Sequence, residues 1–215
     1  MRGKFLRLTL LVSPMSAFEK LSETPRPWLD VEDLKSKFLK LSTPLHPDRV
    51  HHLSKKEKEE ANRKFAELNT AYQILANPRD RINLLLELET GSKPEDIQKI
   101  PPGTMDLFIE VGQHCRELDA HLASRNTSET SPLLKVTAMR KHQEWCSKHE
   151  DLRTKVEMKA AAVNAELQKL DAQWMTSPDH RTLLESLEQI ARLFSYLARW
   201  SQQLEERSLQ LQMSS

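Results

Sequence analysis

A chain of 215 residues suits one or two small domains, and a hydrophobic fraction of 38% is enough for modest cores. Its 32 basic and 31 acidic side chains leave a net charge of +1, which excludes a broad cationic footprint for nucleic acid. Four glycines argue against a β fold with tight hairpins, two cysteines are too few for a disulfide framework and point to a reducing compartment, and no run approaches the length of a membrane span. Long periodic runs rich in Leu, Lys, Glu, Gln and Ala give the expected class, all-α.

Met1 to Val12 is basic and apolar, yet Arg7 interrupts it and no small-residue cleavage site follows. An upstream start before Met15 is the expected explanation for residues 1-14, with an organellar presequence or a secretory signal as alternatives. Ala17 to Leu21 makes a short helical turn with Phe18 and Leu21 toward one core, broken by Pro25 and Pro27. Asp30 is an N-cap candidate for a helix on which Val31, Leu34, Phe38, Leu41 and Leu45 recur at helical spacing. Lys35, Lys37 and Lys40 fall on its other faces, where solvation is the ordinary fate of a charge run. Pro44 should end or kink that helix a turn early.

The next stretch, Leu45-His46-Pro47-Asp48-Arg49, sits between two amphipathic runs. Pro47 has no N–H and pushes His46 out of helical space, so this tip is expected to stay outside both flanking helices and display His46 and Asp48 to a partner. No Ser, Cys or third polar group close in sequence completes a triad with His46, and His51 and His52 are expected to be solvated. Ser54 to Glu57 reads as a capping box, after which Ala61, Phe65, Leu68, Tyr72 and Leu75 form a stripe expected to pack on Val31, Leu34, Phe38 and Leu41. Asn77-Pro78 stops the run, and a short helix from Arg79 to Leu88 presents Ile82, Leu85, Leu86 and Leu88.

With Phe18-Glu-Lys-Leu21, Lys37-Phe38-Leu39-Lys40 and Ala71-Tyr72-Gln-Ile-Leu-Ala-Asn-Pro78, the tip and its flanks resemble the J-domain of DnaJ-type co-chaperones. The resemblance implies that His46, Pro47, Asp48 and Arg49, helped by Lys35, Lys37 and Lys40, dock on a DnaK-type chaperone and trigger its ATP hydrolysis.

Thr90 to Gly103 holds the densest Pro and Gly punctuation, which sets the expected organisation: an extension at 1-14, a first domain at 15-89, a linker at 90-104 and a second domain at 105-215. The linker is too short for the Gly/Phe-rich segment of general DnaJ proteins, and no cysteine-rich zinc module follows. Three helices, about Met105 to Ser124, Pro132 to Trp174 and Pro178 to Gln212, predict an antiparallel three-helix bundle; the middle one is long enough for a bend or break.

Asp106 to Leu118, Leu193 to Trp200, Gln203 to Glu206 and Leu84 to Leu88 are similar to the HscB/Jac-type iron-sulfur co-chaperones. That similarity implies a patch for an IscU-like scaffold protein at Phe108, Ile109, Gly112, Gln113 and Arg116 of the first bundle helix and Tyr196 of the last. It also implies an HscA/DnaK-type chaperone as the second partner. Taken by spacing alone, Phe108 and Ile109 could equally be bundle core. Gly112 stands where the family usually has a large aliphatic, and Gln113 where an acid is usual. The tandem CxxC feature found ahead of the J-domain in some animal members is absent.

His142, Cys146 and His149 lie along one helix face, with His114 or Cys115 able to approach from a neighbour; a polar face with a half-buried thiol is the expectation, and no metal or other cofactor is predicted. No phosphate loop, HExxH or GxSxG occurs, so no catalytic site of its own is expected. The expected function is therefore a co-chaperone of iron-sulfur cluster biogenesis, in the cytoplasm or alternatively the mitochondrial matrix. A J-like adaptor with a different client and a metal-binding regulator are the competing readings.

Overall fold

The computed structural model describes residues 14–93, 100–101, 103–124 and 132–213, and among them all regular structure is helical. The extension expected at 1-14 thus falls almost wholly outside the described residues, as do residues 125–131, between the first two of the three expected bundle helices.

The described residues within Met1–Asp96 form one compact unit together with Leu167–Ala191, and those within Ile97–Glu166 form a second together with Arg192–Ser215. Punctuation at 90-104 therefore captures only part of the division. The end of one long helix and the start of the next belong with the first unit, because apolar faces rather than chain order decide which segments share a core.

In the first unit α1 (Pro14–Lys20) and α2 (Val31–Ser42) pack against α4 (Lys55–Ala76), and α5 (Pro78–Thr90) packs against α1 and α4. Phe18, Leu21, Leu34, Leu68, Ala71 and Leu75 are buried together, with Phe38, Leu45 and Tyr72 at the edge. Local chemistry marks the ends. Asp30 accepts from the amides of Glu32 and Asp33, and Ser54 and Glu57 close a capping box. Asn77 accepts from Arg79 and Asp80 with Pro78 in the first turn, and Gly91 takes the left-handed conformation, φ 72°, that ends α5.

Two members of the expected stripe are displaced from the core: Val31 is 47% exposed and Leu41 40%. Both occupy terminal turns of α2, where periodicity assigns a face but not whether a neighbour extends that far. Arg81 was not anticipated at all. It is buried, donating from Nε to the Pro27 carbonyl at 2.8 Å and from Nη1 to the Leu75 carbonyl, and burial brings its pKa down to about 10.

The second unit is built from α6 (Met105–Ser124), α7 (Pro132–Thr176) as far as Glu166, and α8 (Arg181–Met213) from Arg192. Lys155 reaches Glu110 at 2.5 Å and His149 reaches His114, so α7 runs antiparallel to α6. His149 also meets Ser208 while Arg153 lies 3.8 Å from Glu205, which makes α8 antiparallel to α7. The core comprises Val111, Cys115 and Leu118, then Leu152, Val156 and Val163, then Leu197, Trp200 and Leu204. The expected break in the middle helix is absent: α7 is one element of 45 residues.

Leu34→Ala is expected to cost about 2–5 kcal/mol in a urea unfolding titration, and Leu41→Ala, on the same helix, no more than about 0.5 kcal/mol. Equal losses would show that α2 buries its last turn as deeply as its centre.

Candidate functional site

Pro44 acts as its ring requires. α2 ends at Ser42 and the chain tightens into a 3-10 turn, Thr43–Leu45. His46 is extended, with φ −63° and ψ 136°, as the residue before a proline should be. The tip stays outside both flanking helices, α2 and α4, and Pro47 begins a turn of its own. The proline opens α3 (Pro47–Val50), a single turn, since a missing N–H costs nothing at a first helical position.

Within the tip, His46 Nδ1 accepts from the Asp48 amide at 3.3 Å, and the His51 ring meets the Asp48 carbonyl at 2.6 Å. The ring of His46 stands edge-on to half-buried Phe65 of α4, 6.1 Å between centroids. The Asp48 side chain is 90% exposed and Arg49 is exposed as well. The tip therefore faces outward, steadied from below by one aromatic ring.

The three lysines of α2 differ. Lys37 is committed to Glu23 at 2.6 Å; Lys35 lies 4.0 Å from an exposed Glu32; Lys40 is exposed. Only Lys35 and Lys40 offer cations to another molecule at little cost, because an exposed pair is weak.

On α6 the core is Val111, Cys115 and Leu118, not the candidates. Phe108 is 40% and Ile109 53% exposed, with Met105 beside them, so both candidates lie outside the bundle core. Tyr196 of α8 meets Phe108 edge-to-face at 6.5 Å, and the Arg199 guanidinium lies over the Tyr196 ring. Gly112 is half-buried, Arg116 is exposed, and Gln113 donates to Glu117 at 2.8 Å. Met105 and Arg199 are the members of this surface that the sequence did not single out; a helical step of three back from Phe108 reaches the first, and of three on from Tyr196 the second.

His149 leaves the metal candidates. Its Nε2 faces the Leu204 carbonyl at 3.0 Å and the Ser208 hydroxyl at 2.9 Å. A carbonyl only accepts, so Nε2 holds the proton and Nδ1 accepts from His114 Nε2 at 2.9 Å. His142 and Cys146 remain 3.5 Å apart on α7, and burial pushes the Cys115 thiol up, away from thiolate. Among the described residues no three His, Cys, Asp or Glu side chains converge on a position that could hold a metal. Nor is any helix among them long and apolar enough to cross a membrane.

Comparison with known proteins assigns a DnaJ domain to residues 25–84. A co-chaperone protein HscB homolog from Colwellia psychrerythraea is 26% identical over 122 residues, covering 54% of this chain and 70% of that one. One from Vibrio vulnificus is 38% identical over 109 residues, covering 42% and 64%. Among solved structures, the chaperone HscB from Vibrio cholerae superposes with a TM-score of 0.60 at 22% identity, over 91% of this chain and 98% of that one. Human co-chaperone protein HscB gives 0.57 at 16% identity over 89% and 81%. At those identities the structural likeness establishes the fold, a J-domain with a helical bundle.

The imidazole pair sets a pH dependence. Burial holds both His114 and His149 below the ordinary imidazole range. The unfolded chain, with pKa about 6.5, then binds protons that the fold refuses. Stability from this pair is complete above about pH 6.5 and declines as pH falls toward the lower folded values. Urea midpoints measured from pH 7.5 to 5.5 should fall for the natural chain and fall less for His114→Gln.

Proposed function

We propose that the chain acts as a co-chaperone of the HscB type and that its His46-Pro47-Asp48 tip docks on the ATPase of an HscA/DnaK-type chaperone and triggers hydrolysis; the DnaJ domain matched at residues 25–84 and the similarity to HscB homologs support this reading. A chaperone partner of the Hsp70 kind follows from the J-domain itself; the roles of individual residues are the reading offered here. One observation carries it: within the DnaJ-matched residues, the side chains of His46, Asp48 and Arg49 are turned to solvent on a short, proline-opened turn. Such groups add nothing to their own core, whereas a second molecule can grip them. Docking favours the hydrolysis-competent state by binding it more tightly than the resting one, and Lys35 and Lys40 steer the encounter. Nucleotide chemistry takes place in the chaperone's site, not in this chain.

The second half of the proposal is delivery of an IscU-like scaffold during iron-sulfur cluster biogenesis. Phe108, Ile109, Tyr196 and the neighbouring Met105 offer an apolar and aromatic surface with Arg116 at its margin, the composition expected of the centre of a protein interface. Holding a client on the same chain that engages the chaperone raises the client's effective concentration at the chaperone's peptide site. The setting this requires is reducing, the cytoplasm or the mitochondrial matrix, and both cysteines are free thiols. An adaptor for a different client is the second reading, and the observation favouring it is the pair Gly112 and Gln113, which depart from the family at the centre of this surface.

His46→Gln should abolish stimulation of the chaperone's steady-state ATPase while leaving the helical content unchanged; retained stimulation would remove the triggering role. In a titration with the scaffold, Phe108→Ala and Tyr196→Ala should each weaken binding by about 2 kcal/mol, near thirtyfold. Unchanged affinity in both would leave the different-client reading standing.

A further inference from the structure

The tip reaches its position through α2, and α2 is reached through a short strand without regular structure, Arg26-Pro27-Trp28. That strand is held from several sides. Asp171 of α7, 3% exposed, accepts a forked pair of hydrogen bonds from Arg26, from Nε to Oδ1 at 3.0 Å and from Nη2 to Oδ2. The same Oδ1 accepts the backbone amide of Trp28 at 3.1 Å. Between these two residues the Pro27 carbonyl takes the Arg81 Nε of α5 at 2.8 Å, and Arg81 also binds the carbonyl of Leu75 near the end of α4. Asp30, the N-cap of α2, follows two residues after Trp28.

We infer that Asp171 is a positioning residue for the chaperone-docking tip: by fixing Arg26 and Trp28 it sets where α2 begins, and through α2 where His46 to Asp48 is presented. The inference rests on the reading of that tip as the docking element. A buried carboxylate tolerates few arrangements, since both oxygens must be met by donors. A forked guanidinium plus one amide define a single placement of the strand, whereas an apolar contact there would stabilise without choosing a register. An α-helix is stiff, so a shift at the first turn of a 12-residue element is carried about 18 Å to its far end. The residue that fixes the start lies at 171, outside the residues 25–84 that match a DnaJ domain. The docking geometry thus depends on a side chain the domain does not itself supply.

Two full-length variants and a conservative rescue, Arg26→Lys, test this. Asp171→Asn keeps the shape and the bond to Trp28 but loses the ion pair; Arg26→Gln removes the other partner at a side chain 33% exposed, where misfolding is not a concern. Two readouts are taken, the chaperone ATPase titrated with each variant and amide hydrogen exchange of each variant alone. The expected result is a half-saturating concentration raised about fivefold with maximal stimulation within twofold of the natural chain. It is accompanied by faster exchange at Trp28 and the first turns of α2, unchanged exchange in the centres of α4 and α6, and recovery of affinity in Arg26→Lys. Affinity equal to the natural chain's, or exchange accelerated evenly through all helices, would overturn the positioning role. The exchange arm needs no chaperone. A natural chain that fails to stimulate the ATPase therefore strikes the function proposed above, while unaltered exchange at Trp28 and α2 strikes the clamp.

Discussion

Presentation of the tip depends on α2 lying flat against α4. Leu34 is fully buried in that contact, and Phe38 stacks on Tyr72 with 4.6 Å between centroids. Burial of a leucine is worth about 1.5–3 kcal/mol and a stacked aromatic pair adds about 0.5–1.5 kcal/mol, while the bonds inside the tip are few, exposed and weak. The tip does not hold itself. Two helices hold it, and the core between them fixes the separation across which His46, Pro47 and Asp48 must turn. Phe65 extends this support to the base of the tip, where its ring meets that of His46 edge-on.

What could be read in the residues and what could not divides along a physical line. Caps, prolines and periodicity act within a few residues of the chain, so Asp30, Ser54 with Glu57, Asn77-Pro78 and the extended His46 were all legible, and α6 was bounded at Met105 and Ser124. Interactions that join distant segments leave no local trace. Arg81 belongs to an ordinary charged run, Arg79-Asp80-Arg81, and only the fold reveals that it faces inward. Asp171 and His149 are single polar residues on long helices, and nothing near them announces Arg26 or Ser208. The exposure of Val31 and Leu41 has the same origin, since a periodic stripe says which way a residue points and not what it meets. For Phe108 and Ile109 spacing left core and surface equally open, and Val111, Cys115 and Leu118 occupying the core decided the matter.

The two candidate surfaces work by different physics. Around the tip lie cations and exposed polar groups, which speed encounter, weaken with salt and add little to the lifetime of a complex. Around Phe108 and Tyr196 lie aromatic and aliphatic side chains, which affect how long a partner stays. On the function proposed above, in which the chain meets an ATPase transiently and retains a client meanwhile, that division serves both tasks. Lys37 sits at the boundary between structure and function: its bond to Glu23 draws it into the packing of its own domain, so the α2 cations are not a uniform stripe.

Gly112 bears on what the apolar surface can accept. Its backbone is not left-handed, and a Cβ there would meet only the Arg116 guanidinium at 3.5 Å, an ordinary contact. Packing therefore does not require the glycine, and mid-helix it costs about 1 kcal/mol relative to alanine. At the surface it leaves one position of α6 without a side chain, with Phe108 and Ile109 one turn before it and Arg116 one turn after. A partner that supplies an apolar side chain of its own against this position gains contact worth about 1.5–3 kcal/mol when it is fully buried; one presenting a flat face, suited to a large aliphatic here, does not. On the client reading proposed above, the departure changes the shape that a partner must match. Gln113 also bears on the margin, because an amide bonded to Glu117 stands where the family usually has an acid, which leaves one acidic charge fewer beside Arg116.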